Sequence, residues 1–138
     1  MNKNKSDVIV LAAGNSQRFR DKLKKQNKKI CNKSLVDISI RYFISRKEIN
    51  KIFVAYNKNV PLNTKYKKDI IFVKGGKTRS ESVYNVLEYI VANIKPSNNI
   101  IIHDVARPYI NKTDLNRLLN MYTTTGVALG YPITNAIK

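Results

Sequence analysis

Apolar residues follow two rhythms along this chain. Short unbroken runs occur at 7–12 (DVIVLA), 51–56 (KIFVAY), 69–73 (DIIFV) and 99–103 (NIIIH). Each is bounded by polar or small residues, which predicts strands buried on both faces. Between the runs the spacing becomes helical. Val36, Ile40, Phe43 and Ile44 form one stripe, and Val83, Val86, Leu87, Ile90 and Ile94 form a second within 82–94. Leu115, Leu118, Leu119 and Tyr122 form a third. Helix starts are expected where Ser34 precedes Asp37 by three residues, at Ser80 and Ser82, and at Thr113-Asp114. A last strand is predicted at 126–131 (GVALGY).

Strands alternating with helices predict an α/β fold with a doubly wound, mostly parallel sheet flanked by helices. With no internal repeat and no low-complexity linker, residues 1–138 read as a single domain. Open α/β sheets bind ligands beyond the carboxyl ends of their strands. The segments that follow strands are therefore the ones to inspect: 12–26, 74–82 and 103–108.

The first, LAAGNSQRFRDKLKKQ, leaves its strand through Ala12, Ala13 and Gly14. Small side chains there let a ligand approach the backbone, and Arg18 and Lys25 follow within reach of phosphate oxygens. The second, VKGGKTRSESV, contains GKT. A phosphate-binding loop of the G-x-x-x-x-G-K-[ST] type would need glycine at position 71, where Ile71 stands. What remains is a Gly-Gly turn, with Gly76 leading to Arg79, Ser80 and Ser82 at a helix start. Those serines either cap the helix or meet a polar ligand. In the third, IIIHDVARPYI, Asp104 follows a strand end, where a carboxylate can hold Mg²⁺ on a substrate phosphate. Arg107 adds a bidentate phosphate donor, and Pro108 stiffens the exit. His103, the only histidine, reads as structural rather than as a general base.

Composition changes the picture in one respect. Lys+Arg number 26 against 9 Asp+Glu, a net charge of +17. Such a balance raises nucleic-acid binding. The lysines are scattered, however, and no RRM, KH or helix-turn-helix pattern accompanies them. Heavy use of Lys, Asn and Ile fits A/T-rich codons equally well. No apolar run approaches the roughly 18 residues of a membrane span. The basic-then-apolar start, MNKNKSDVIVLAAG, is better explained by a core strand than by a signal peptide. Cys31 is the only cysteine, so no internal disulfide is available. It reads as a small packing residue, and a cytoplasmic location is expected.

Taken together, the order AAG-x₃-R, KQ, GG-x-x-R-x-x-S-V and HD-x-ARP resembles the 2-C-methyl-D-erythritol 4-phosphate cytidylyltransferases of the non-mevalonate isoprenoid pathway, along essentially the whole chain. It also resembles their ribitol-phosphate relatives. The resemblance implies a nucleotidyltransferase that moves CMP from CTP to a sugar-alcohol phosphate and releases pyrophosphate, with no covalent enzyme intermediate. It implies that Arg18 and Lys25 stabilise charge at the α-phosphorus and that Asp104 is the Mg²⁺ ligand. Ala12, Ala13, Gly14, Gly76 and Ser82 would line the CTP site, and Arg107 would face the substrate. A homodimer is also implied. Ser16, Lys24 and Lys77 stand where the family has a glycine, a proline and commonly an acidic residue. Asn135-Ala136 replaces the family's Asp-Thr within PITNAIK, at 132–138. Family members continue well past this length into a dimerising arm, so the chain is expected to be a fragment. A catalytically dead CTP-binding form is the alternative within the family, and a basic nucleic-acid-binding domain the alternative outside it.

Overall fold

A computed structural model describes residues 5–14, 29–57, 70–121 and 125–130. Strand β1 (Ser6–Leu11) leads to a small hairpin, β2 (Lys29–Ile30) and β3 (Lys33–Ser34). Helix α1 (Leu35–Ile44), strands β4 (Ile49–Tyr56) and β5 (Ile70–Lys74), helix α2 (Arg79–Asn93), strand β6 (Asn99–Asp104) and helix α3 (Lys112–Asn120) follow. The main sheet has the order β5-β4-β1-β6, and each of its three pairings is parallel. The predicted doubly wound architecture is therefore the one observed.

The unbroken apolar runs divide their side chains between two layers. Val8, Val10, Ile52 and Val54 face α1 and α3, where they meet Val36, Ile40, Phe43 and Leu115. Ile9, Phe53 and Ala55 face α2 and pack on Val86 and Ile90. Burying such side chains contributes about 1.5–3 kcal/mol each, which makes β1 and β4 the centre of stability. At the amino end of β1 the fully buried Asp7 carboxylate accepts from Lys51 N (3.2 Å), Asn50 Nδ2 (3.2 Å) and Ser97 N (2.8 Å). It ties β1 to β4 and to the turn before β6.

Ser34 caps α1 as its spacing predicts, accepting from Asp37 N at 3.1 Å. Four expectations need correction. Helix α2 starts three residues earlier than the apolar stripe suggested, because Thr78 caps it by accepting from Glu81 N. Helix α3 is capped by Asn111, not Thr113-Asp114; the Asn111 side-chain oxygen accepts from Thr113 N at 2.8 Å. Strand β6 is not buried on both faces. It is one of the two edge strands among the described residues, the half-buried β5 being the other, and α2 leaves Ile102 43% exposed. Residues 126–130 form no strand and are exposed, since no described strand pairs with them. Tyr122, Tyr131 and 132–138 lie outside the described residues.

Cys31 is likewise no packing residue. It is exposed in the two-residue turn of the β2–β3 hairpin, with φ 49°, next to Asn32 with φ 62°. Two positive φ values in a row match the turn that follows the right-handed twist of a hairpin.

Candidate functional site

The strand-end segments meet at the carboxyl edge of the sheet. β1 stops at Leu11, opposite Asp104 of β6, and Val105 N donates to Leu11 O (3.4 Å). On its other side, Ala12 N donates to the Ala55 carbonyl of β4 at 2.9 Å. Ala12 and Ala13 are buried at the base of this edge, and Asn57 Nδ2 holds the Ala13 carbonyl at 2.8 Å. A Cβ built on Gly14 meets nothing within 4 Å, so the loop opens to solvent there.

The Gly-Gly turn is small because space is short, and among the described residues no glycine has a positive φ. A Cβ on Gly75 would fall 2.3 Å from Ala13 Cβ, and one on Gly76 would fall 2.2 Å from Glu81 Cγ. Gly75 is thus where the second segment touches the first. Gly76 N donates to Ser82 Oγ (3.0 Å), which itself donates to Thr78 O (2.8 Å). Ser82 is buried and shapes the turn from beneath. Glu81 accepts from Lys77 N at 2.7 Å, just ahead of α2, and the Lys77 side chain is exposed.

The third segment is joined by charge. Arg79 Nε donates to Asp104 Oδ1 at 2.9 Å, linking the start of α2 to the end of β6. Asp104 Oδ2 accepts no hydrogen bond from the described residues. The Asp104 side chain is 32% exposed. Arg107 N donates to Asp104 O (2.9 Å) in the turn that follows, and its side chain is exposed. Beneath Asp104, His103 contacts Ser39 Oγ at 3.2 Å and stacks edge-on to Phe43. Ser39 spends its proton on Leu35 O (3.0 Å), so His103 Nε2–H is the donor between them. Burial lowers the His103 pKa from 6.5, Arg107 adds to that, and Asp104 opposes it. A buried, neutral, hydrogen-bonded imidazole matches the structural role expected for it.

Ala12, Ala13, Gly14, Gly76, Ser82 and Asp104 therefore share one edge of the sheet, with Arg107 on its rim. Arg18, Lys25, Ser16, Lys24, Asn135 and Ala136 lie outside the described residues. Three contributors went unassigned by sequence reasoning: Gly75, Asn57 and the Arg79 tie to Asp104. The Gly-Gly doublet signalled the first. Nothing local signals the other two, because their partners are distant in sequence.

This arrangement can accept a polyanion. It offers small residues at a strand exit and a carboxylate with one unengaged oxygen. Asp104 fits Mg²⁺, which takes one or two carboxylates and completes its shell with phosphate oxygens and water. Among the described residues no group of three metal-ligating side chains gathers, so a cation here would depend on its substrate for most ligands.

Comparison with known proteins agrees with this geometry. The family model for 2-C-methyl-D-erythritol 4-phosphate cytidylyltransferase (IspD) matches residues 7–138. The enzyme of that name from Wigglesworthia glossinidia brevipalpis is 35% identical over 98% of this chain and 61% of its own length. The Thermotoga neapolitana enzyme is 32% identical over 88% of this chain and 55% of its own. Among solved structures, the Francisella tularensis enzyme aligns with a TM-score of 0.65 and 29% identity, covering 83% of this chain and 50% of that one. The bifunctional IspDF of Campylobacter jejuni aligns with a TM-score of 0.69 and 34% identity, over 83% and 30%. The chain spans between half and two thirds of the curated relatives it matches. With the family model matching residues 7–138 and the described parts of the motifs on one edge of the sheet, the chain belongs to the 2-C-methyl-D-erythritol 4-phosphate cytidylyltransferase (IspD) family.

Proposed function

We propose that this protein is a cytidylyltransferase that moves CMP from CTP to 2-C-methyl-D-erythritol 4-phosphate. In this reaction a substrate phosphate oxygen bonds to the α-phosphorus of CTP. The bond from that phosphorus to the bridging oxygen breaks, and pyrophosphate leaves with the electron pair. The observation that carries the reading is the meeting of three motif segments at one strand edge, through the Ala13–Gly75 contact and the Arg79–Asp104 pair.

Transfer at phosphorus asks for positioning and positive charge rather than covalent help. Ala12, Ala13, Gly14 and Gly76 line the nucleotide side, and Ser82 keeps the Gly-Gly turn in shape for it. Arg18 and Lys25 offset charge at the α-phosphorus, and Arg107 faces the acceptor substrate. Asp104 holds Mg²⁺, which when bound neutralises triphosphate charge. An exposed pair such as Arg79–Asp104 is worth about 0–1 kcal/mol. Asp104 can exchange it for a cation at small cost, and the released guanidinium stays beside the phosphates. The exposed thiol of Cys31 suits a reducing cytoplasm, and a homodimer belongs to the same proposal.

Calorimetry of the chain with CTP, with and without Mg²⁺, tests the binding half. Pyrophosphate release in the presence of methylerythritol phosphate tests the reaction. CTP should bind more tightly with Mg²⁺, and Asp104→Asn should abolish that gain. A folded chain that binds no CTP, or binds it equally well without Mg²⁺ and without Asp104, overturns the proposal or its metal role respectively.

A further inference from the structure

Arg79 stands where a cation is least stable on a helix. It is the first residue of α2, and the amino end of a helix carries the positive end of its dipole. Lys74 and Lys77 precede it in the same segment. Glu81, the acidic residue of the first turn, accepts from Lys77 N and Thr78 supplies the cap, so Arg79 is not needed to finish the helix. What the guanidinium gains is Asp104, whose Oδ1 accepts from Arg79 Nε at 2.9 Å across the gap to the end of β6. The two side chains are 60% and 32% exposed, so ions and ligands in solution can reach both.

The pair sets a condition on any cation that approaches Asp104. A divalent ion and the guanidinium are like charges seeking one carboxylate. Among the described residues no group of three metal-ligating side chains gathers there, so a bare ion would gain a single carboxylate. Mg²⁺ gives up its water reluctantly for so little. Arg79 is already in place, and its charge repels the newcomer. A triphosphate reverses the balance. Its negative charge lies between the two cations, so they no longer compete. The divalent ion can join Asp104 to one set of phosphate oxygens, while the planar fork of the guanidinium suits another.

We propose that Arg79 is a specificity-determining residue: it holds Asp104 against a bare divalent cation and passes to the phosphates when the cation arrives with a nucleoside triphosphate. The inference rests on the metal role proposed for Asp104 and adds a condition to it, that the edge takes the cation–nucleotide complex in preference to the cation alone.

The test uses the whole chain and two readouts, neither of which is turnover. Mn²⁺ alone, as a paramagnetic stand-in for Mg²⁺, is titrated while the amide NMR signals of Val105 and Ala106 are followed. Calorimetry then measures CTP binding in the presence of Mg²⁺. Arg79→Gln removes an exposed side chain, so the fold should persist. It should broaden those amides at up to about fivefold lower Mn²⁺ than the parent chain, the most an exposed pair is worth. The same variant should bind CTP with Mg²⁺ about tenfold more weakly, as loss of one charge-assisted hydrogen bond implies. Arg79→Lys, which keeps the charge without the fork, should lie between the two in both measurements. The opposite signs are diagnostic, because a tie that merely shaped the edge would weaken both. Unchanged Mn²⁺ affinity in Arg79→Gln, or parallel weakening of both readouts, overturns the inference. If Asp104→Asn still abolishes the Mn²⁺ response, the metal role stands and the inference alone has failed. If Asp104→Asn leaves the Mn²⁺ response intact, both fall together.

Discussion

A methyl group is the finest probe of the strand edge. Gly75→Ala would force Cβ against Ala13 Cβ at 2.3 Å, with Ser82 Oγ at 3.0 Å and Tyr56 O at 3.4 Å on the other sides. The expected cost is about 1–3 kcal/mol of overpacking, visible in a thermal melt, together with weaker CTP binding as the two loops separate. Gly14→Ala is the contrasting case. Its Cβ would enter open space, so stability should change by less than about 0.5 kcal/mol while CTP affinity falls. An unchanged affinity would remove Gly14 from the site. His103 makes a separate prediction through pH. Burial lowers its folded pKa below 6.5, so between those values the unfolded chain binds more protons than the folded one. Stability should be constant above pH 6.5 and fall as the pH drops below it. As the only histidine, His103 should account for that slope, and His103→Gln should flatten the melting temperature between pH 7 and pH 5.5.

Among the elements, Asp7 carries the clearest structural consequence. Its carboxylate takes hydrogen bonds from two backbone amides and one side chain on two other segments, with no exposure to solvent. Asp7→Ala would strand those donors at a cost of about 2–4 kcal/mol. Urea denaturation should show this as a lower midpoint with an unchanged slope. The strands and helices around it were legible because burial writes itself into sequence: Ile9 and Val10 point to opposite layers, and Val86 and Ile90 share a helix face. Two kinds of feature were not legible. Caps were misplaced because Thr78 and Asn111 compete with equally suitable neighbours, and only backbone geometry selects between them. The hairpin at Lys29–Ser34 went unseen because strands of two exposed or half-polar residues carry no alternation. At the site, residue types were legible at Ala13, Gly76 and Asp104. The Arg79–Asp104 tie was not, since 25 residues separate its partners.

At the scale of the whole molecule the dominant quantity is the charge of +17. If it reflects composition rather than a nucleic-acid partner, DNA and RNA should bind only non-specifically, near 10⁻⁴–10⁻⁶ M at physiological salt. Fluorescence anisotropy with unrelated oligonucleotides should give similar constants that weaken steeply as salt rises. A tight complex with one sequence would contradict that reading. Among the described residues no helix is long and apolar enough to cross a membrane.

The central position of β1 bears on how this protein is made. Strand β1 is translated before both of its neighbours, β4 and β6, and Ser6 finds its second partner only at Asn99. At elongation rates of about 5–20 residues per second, roughly 5–20 s pass between the two leaving the ribosome. Throughout that interval Val8, Ile9 and Val10 have one open edge, and until β4 emerges they have two. Parallel pairing across such a span is slow even in the finished chain. A nascent-chain series released at increasing lengths should therefore stay protease-sensitive in β1 until residues 99–104 are free, and chaperones that hold bare apolar strands should find their target there.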